Sequence, residues 1–220
     1  MDASADLDAR MGAVQLGNDM LLDSEYVDEK QDVAIISPDD AMEDGEPEPE
    51  LRADDFEAMK KRYLPELPDL ETDSEALHTW DIQRWRHLSR KEHGPVFHCG
   101  GNPWRVLFFP QGNNVEFASF YLEHGFEDKP PEDWYACVQF MLVLWNPNDP
   151  TIYVTHTATH RFTAEEGDWG FTRFSELRRL FNVPWEDKDR PLVENDSAKV
   201  TAYVRVVKDP TGVLWHNFIK

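Results

Sequence analysis

The sequence predicts an all-β fold, an antiparallel β-sandwich of about 140 residues, preceded by a disordered acidic tail. Three observations predict it. Charge and aromatics divide the chain near residue 75. Beyond that point apolar residues alternate with a period of two. Turn residues then interrupt the alternation at short intervals. The first 75 residues hold 24 acids and 6 bases, a net of −18, out of a total of −21. The rest holds 19 acids and 16 bases. All 8 tryptophans follow residue 75, and only Tyr26, Phe56 and Tyr63 are aromatic before it.

Residues 1–74 carry too little apolar surface to offset chain entropy, so they are expected to be largely disordered. The run at 43–50, EDGEPEPE, mixes like charges with proline and stays extended. Asp54–Tyr63 can form a short helix. Asp54 or Asp55 would cap it, acids precede bases, and Phe56, Met59 and Tyr63 share a face. Such a helix is either transient or packs on the domain or a partner.

The domain is expected over 75–210. Trp80 and Ile82 alternate with polar neighbours in an opening strand. Trp104–Phe109 is a strand that stops at Pro110, and Gln111–Asn114 is turn chemistry. Val115, Phe117, Ser119 and Tyr121 alternate with the residues between them. Asp133–Trp145 is apolar on both faces, as a central sandwich strand is. Asn146–Pro150 turns the chain into the threonine-rich strand Thr151–Phe162. Ser175–Phe181, with Ser175 as N-cap, reads as the one short helix of the domain. Val200–Val207 closes the sandwich.

Several classes of function are excluded. A net acidic chain without a basic stripe does not suit a nucleic-acid backbone or an anionic membrane surface. The longest apolar run, Val138–Trp145, is far below the roughly 18 residues of a membrane helix. The N-terminus lacks a signal-peptide layout, which predicts a nuclear and cytoplasmic location. Cys99 and Cys137 are then buried thiols rather than a disulfide. Asn195-Asp-Ser197 carries no glycosylation meaning there.

Catalytic motifs are absent: no GxGxxG, P-loop, HExxH or GxSxG. No cofactor is expected. His156 and His160 on one strand would stand about 13 Å apart, too far to share a metal ion, so they are surface or packing residues. The sharpest local feature is Gly167-Asp-Trp-Gly-Phe171. It is either a turn with an anchored Trp or a groove in which an edge strand and a carboxylate take an extended peptide.

Residues 76–208 resemble a MATH (TRAF-like) domain, that of the N-terminal region of HAUSP-type ubiquitin-specific proteases. The resemblance runs through the opening strand to Trp85 and Leu88, then Pro103–Pro110 and Phe120-Tyr-Leu122. It continues through His160–Phe174 with DWGF at 168–171, and ends with Val200–Val207 and Thr211–Trp215. It implies an eight-stranded antiparallel sandwich that is not catalytic. It also implies that short Pro/Ala/Glu-x-x-Ser segments of substrate proteins bind as an added strand. Asp168 would bond the serine, Trp169 and Gly170 would shape the groove, and Tyr121 would line it. Two positions depart from the pattern. Gln111 stands where the groove has an arginine, and Arg173 where it has an asparagine. Either the cation has moved or the preferred peptide differs. The cysteine box of such proteases lies beyond this sequence, so ubiquitin would be reached only through a catalytic domain absent here, and 211–220 reads as the start of a linker. A stand-alone adaptor is the alternative. In the tail, Ala34–Ser37 and Glu71–Ser74 fit the loose x-x-Ser pattern.

Overall fold

The computed structural model describes residues 50–209 apart from Leu67, Asp69 and Asn182. One helix, α1 (Phe56–Tyr63), precedes the strands. Asp55 caps it, its carboxylate accepting from the Ala58 N–H at 3.1 Å. Seven long strands and two short ones follow. They are β1 (Glu71–Ile82), β2 (Glu92–His93), β3 (Phe97–Cys99), β4 (Asn102–Phe109), β5 (Phe117–His124), β6 (Tyr135–Asn146), β7 (Asp149–Thr163), β8 (Asp168–Glu176) and β9 (Ala198–Lys208).

The strands form two antiparallel sheets. One has the order β1-β9-β6-β7; the other runs β2-β4-β5-β8, with β3 beside β4. This is the β-sandwich that the alternating pattern predicts. Phe108, Phe120, Phe140, Leu142, Val204 and Ala202 meet between the sheets. Phe108 and Phe120 stack at 4.2 Å. Trp85 lies beyond the opening strand in a single 3₁₀ turn, Trp85–His87, fully buried, and donates its indole N–H to the Pro110 carbonyl at 3.2 Å. A buried tryptophan needs such an acceptor for its one polar atom.

β6 is apolar on both faces because both faces are covered. Its outer residues Met141, Val143 and Trp145 pack with Tyr203 against Ala53, Met59 and Leu64. So α1 lies on the sandwich. The buried Arg205 fixes this arrangement. Its guanidinium bonds the Leu64 and Pro65 carbonyls at 3.2 and 3.0 Å and the Gln139 Oε1 at 2.7 Å, and it pairs with Glu75.

The expected helix over Ser175–Phe181 is corrected. Ser175 belongs to β8, and only Leu177–Arg179 make one 3₁₀ turn. Sheet pairing wins there, because the Leu177 N–H still bonds the Glu116 carbonyl of the neighbouring segment at 3.2 Å.

Candidate functional site

β8 is an edge strand. Among the described residues it pairs with β5 alone. Register places Asp168 opposite Glu123, Trp169 opposite Leu122, Gly170 opposite Tyr121 and Phe171 opposite Phe120. The His124 N–H bonds the Gly167 carbonyl at 3.0 Å. Alternation then turns the backbone groups of Trp169 and Phe171 toward β5 and those of Asp168 and Gly170 toward the open side. An extended chain could pair with these outward groups.

The side chains alternate as well. Trp169 and Phe171 face the core, while Asp168, Gly170 and Thr172 share the outer face. Gly170 has a steric reason. A Cβ there would stand 2.4 Å from the Phe120 carbonyl oxygen and 2.5 Å from the Tyr121 Cα. Tyr121 lies on the same outer face as Gly170. Its hydroxyl meets that of Thr172 at 2.8 Å, and Phe109 packs edge-on against its ring at 5.9 Å.

Asp168 is the chemical centre of this surface. Among the described residues no side chain donates a hydrogen bond to it, whereas the facing Glu123 is held by Arg105 and by His93 at 3.4 Å. Burial, and then the Glu123 charge, push the Asp168 carboxyl above its ordinary range; Lys91 and His124 oppose this. A hydroxyl donor arriving from outside would relieve an ionised carboxylate left without partners.

Trp169 sits on the other side of the strand. Its ring stacks on His160 of β7, 4.0 Å between centroids and 4° from parallel. This stack ties the edge of one sheet to the edge of the other. Burial drives the His160 imidazole down to about 4, so it is neutral at physiological pH. His156 packs on Phe171 and Phe174 and donates to the Phe174 carbonyl at 3.0 Å when Nε2 carries the hydrogen.

The structure thus brings Asp168, Gly170 and Tyr121 together and sets Trp169 behind them. It places Gln111 and Arg173 at the far end of the same face. Between Phe120↔Phe171 and Ala118↔Ser175, Ser119 stands against three residues of β8. Ser119 fills this bulge by donating to the Thr172 carbonyl at 2.6 Å. Arg173 is exposed there, its guanidinium 4.4 Å above the Phe117 ring. Gln111 is exposed and borders a shallow depression with Arg90, Asn114 and Glu116. Sequence reasoning missed Thr172, Phe109, Lys91 and His160. Thr172 and Phe109 follow from strand alternation only once register is known, and Lys91 lies outside any strand; His160 reads as a surface or packing residue in the sequence, but its partner Trp169 lies on the other sheet and could not be named.

Both thiols are buried. Burial raises Cys99, and raises Cys137 to about 11, so both stay protonated. Glu71–Ser74 lies in β1, with Ser74 opposite Val206, so its x-x-Ser pattern is committed to the sheet. Ala34–Ser37 lies outside the described residues.

Residues 77–204 match the family model of the MATH domain. The chain belongs to the MATH domain family. Its relatives include ubiquitin carboxyl-terminal hydrolase 15 of Schizosaccharomyces pombe, 36% identical over 86% of this chain and 19% of that protein. Ubiquitin carboxyl-terminal hydrolase 5 of the same yeast is 40% identical over 69% of this chain and 14% of its own length. TNF receptor-associated factor homolog 1a of Arabidopsis thaliana is 29% identical over 60% of the chain and 12% of that protein. The chain therefore spans less than a fifth of the hydrolases it matches, and the region matched is their non-catalytic N-terminal part. MATH domains are protein–protein interaction modules.

Proposed function

We propose that this MATH domain is the substrate-recognition part of a ubiquitin-specific protease acting in the nucleus and cytoplasm. It takes short serine-containing segments of substrate proteins, of the Pro/Ala/Glu-x-x-Ser type, as an added strand along β8. One observation carries the reading. Asp168 and Gly170 turn backbone groups to an unpaired edge, and the Asp168 carboxylate beside them lacks a described donor. The serine hydroxyl supplies that donor. Tyr121 and Gly170 floor the groove, and Trp169, braced by His160, keeps the edge in place.

A labelled Ala-x-x-Ser peptide titrated into the whole chain tests this. Asp168→Asn keeps the shape and removes the charge. It should weaken binding by about ten- to hundredfold, the equivalent of about 1.5–3 kcal/mol for a charge-assisted bond. Changing the peptide serine to alanine should weaken it similarly, and the two losses should not add. Equal affinity of all combinations would remove the groove.

A stand-alone adaptor is the second reading, supported by the similarity to a TNF receptor-associated factor homolog. The two part at the transcript. An in-frame cysteine box after Lys220 supports the protease, and a stop codon there supports the adaptor.

A further inference from the structure

The outer face of the sheet that ends in β8 is electrically lopsided along its length. At one end lie Asp168 and, opposite it, Glu123. At the other end lie Arg90 and Arg173, both exposed; the exposed Lys91 stands between, near enough to Asp168 to act on its charge. None of these three forms an ion pair with a described residue. Arg90 donates to the Asn114 Oδ1 at 2.7 Å. The Lys91 ammonium lies 6.0 Å above the Phe109 ring, and the Arg173 guanidinium 4.4 Å above Phe117. Ring stacking holds a cation in place while leaving its outward N–H groups free. Three acids lie close by, of which Glu92 accepts from the Ser89 N–H at 2.6 Å. Glu116 borders the depression that Arg90 and Gln111 line, and Glu176 is engaged by Arg178 at 2.9 Å.

The two ends are separated by a fixed length of strand. Glu123 and Phe117 are six residues apart on β5, about 20 Å at roughly 3.3 Å per residue. Asp168 and Arg173 are five residues apart on β8 itself. A segment lying along β8 spans both ends with a comparable number of residues. The cation that Gln111 lacks is thus supplied from two other places: the loop before β2, and the bulge of β8.

Resting on the groove reading above, we infer that the site is bipolar. It selects extended segments that carry a serine at the Asp168 end and an acidic side chain, Asp or Glu, about five residues away at the Arg90–Arg173 end. The acid fixes the direction in which the segment lies, because reversal would set it against Asp168 and Glu123. Its gain is modest and salt-sensitive, since Arg90 and Arg173 are both exposed.

The test uses the whole chain and labelled ten-residue peptides with one serine and one glutamate. The glutamate stands five residues before the serine in one peptide and five after it in another. Controls carry glutamine for glutamate, glutamate only two residues from the serine, or alanine for serine. In one of the two orders the glutamate peptide should bind about three- to tenfold more tightly than its glutamine counterpart at low salt. That advantage should shrink in about 0.5 M salt. It should also vanish at the short spacing and in the double variant Arg90→Gln, Arg173→Gln. Equal binding of glutamate and glutamine peptides in both orders overturns the inference. If alanine for serine still weakens binding in that case, the groove stands and only its bipolarity is lost. If the alanine peptide also binds unchanged, the groove reading falls with it.

Discussion

Asp168 and Gly170 show how much one side chain contributes at this edge. Gly170 has an extended neighbour strand so near that any Cβ would press on the Phe120 carbonyl and the Tyr121 Cα. Gly170→Val should therefore push β8 off β5. We expect a lower thermal midpoint, and loss of peptide binding even though Asp168 is intact. Tyr121→Phe is the mild counterpart. It removes the hydroxyl partner of Thr172 and should cost about 1 kcal/mol, readable from the urea midpoint. Asp168 gives a pH signature. Its carboxyl is raised by burial and by Glu123. A raised acid protonates sooner as the solution is acidified, so serine-peptide affinity should begin to fall at a higher pH than for an ordinary aspartate. In Asp168→Asn the affinity should be weak and free of that step. A wild-type profile flat throughout the acid range would argue against an ionised Asp168 as the acceptor.

At the scale of elements, the segment before β1 matters most. Met59 is fully buried between α1 and the outer face of β6. Met59→Ala should destabilise by about 2–5 kcal/mol, as large-to-small changes in a packed site do. The exposed Lys61→Ala on the same helix should stay within about 0.5 kcal/mol. Chemical denaturation of both variants checks the contrast; equal effects would mean that α1 does not hold to the sheet in solution. A chain trimmed to the matched residues 77–204 would lose α1, Glu75 and Arg205 itself, and would leave the buried Gln139 without its Arg205 and Pro65 partners. Much of this was legible beforehand. Short apolar and alternating runs located β4, β5 and β9, an apolar stretch β6 and a threonine-rich one β7, each within a few residues, and capping chemistry located α1. The docking of α1 could be named only as one of two outcomes, since it depends on β6 being apolar on its second face. The bulge in β8 and the turn after it were not legible. Leu177, Leu180 and Phe181 have helical spacing, yet the Leu177 N–H goes to the Glu116 carbonyl just before β5, and the Leu180 N–H closes a single turn on Leu177. The groove residues on β8 came from a family pattern, while their outward backbone groups came only from register.

For the molecule as a whole, acid is the condition that reads the sandwich most directly. His78, His124, His156 and His160 are each held below the ordinary histidine range by burial, His160 at about 4. The sign follows from linkage. In the unfolded chain these rings take up protons below about pH 6.5, whereas in the folded chain they do so only at lower pH. Stability is therefore full above about 6.5 and is lost as pH falls toward 4. The lowered carboxyls of Glu75, Asp149 and Glu194 act in the same direction at the acid end of that window. Asp168 acts in the opposite direction, but it is one group against several. His160 contributes most, since burial holds its imidazole down to about 4. Glu166 lies 3.6 Å from its Nε2 but is mostly exposed, so it does little to hold a proton there. His160→Phe keeps an aromatic ring against Trp169 and removes the titration. Its thermal midpoint should decline less steeply between pH 6.5 and 4.5 than that of the parent, with similar values near pH 7.5. The Trp169 stack links the two sheet edges, so the same acidification should loosen peptide binding in the parent before global unfolding. Parallel midpoint curves for parent and variant would show that the imidazole is solvated, and that the stack does not join the sheets.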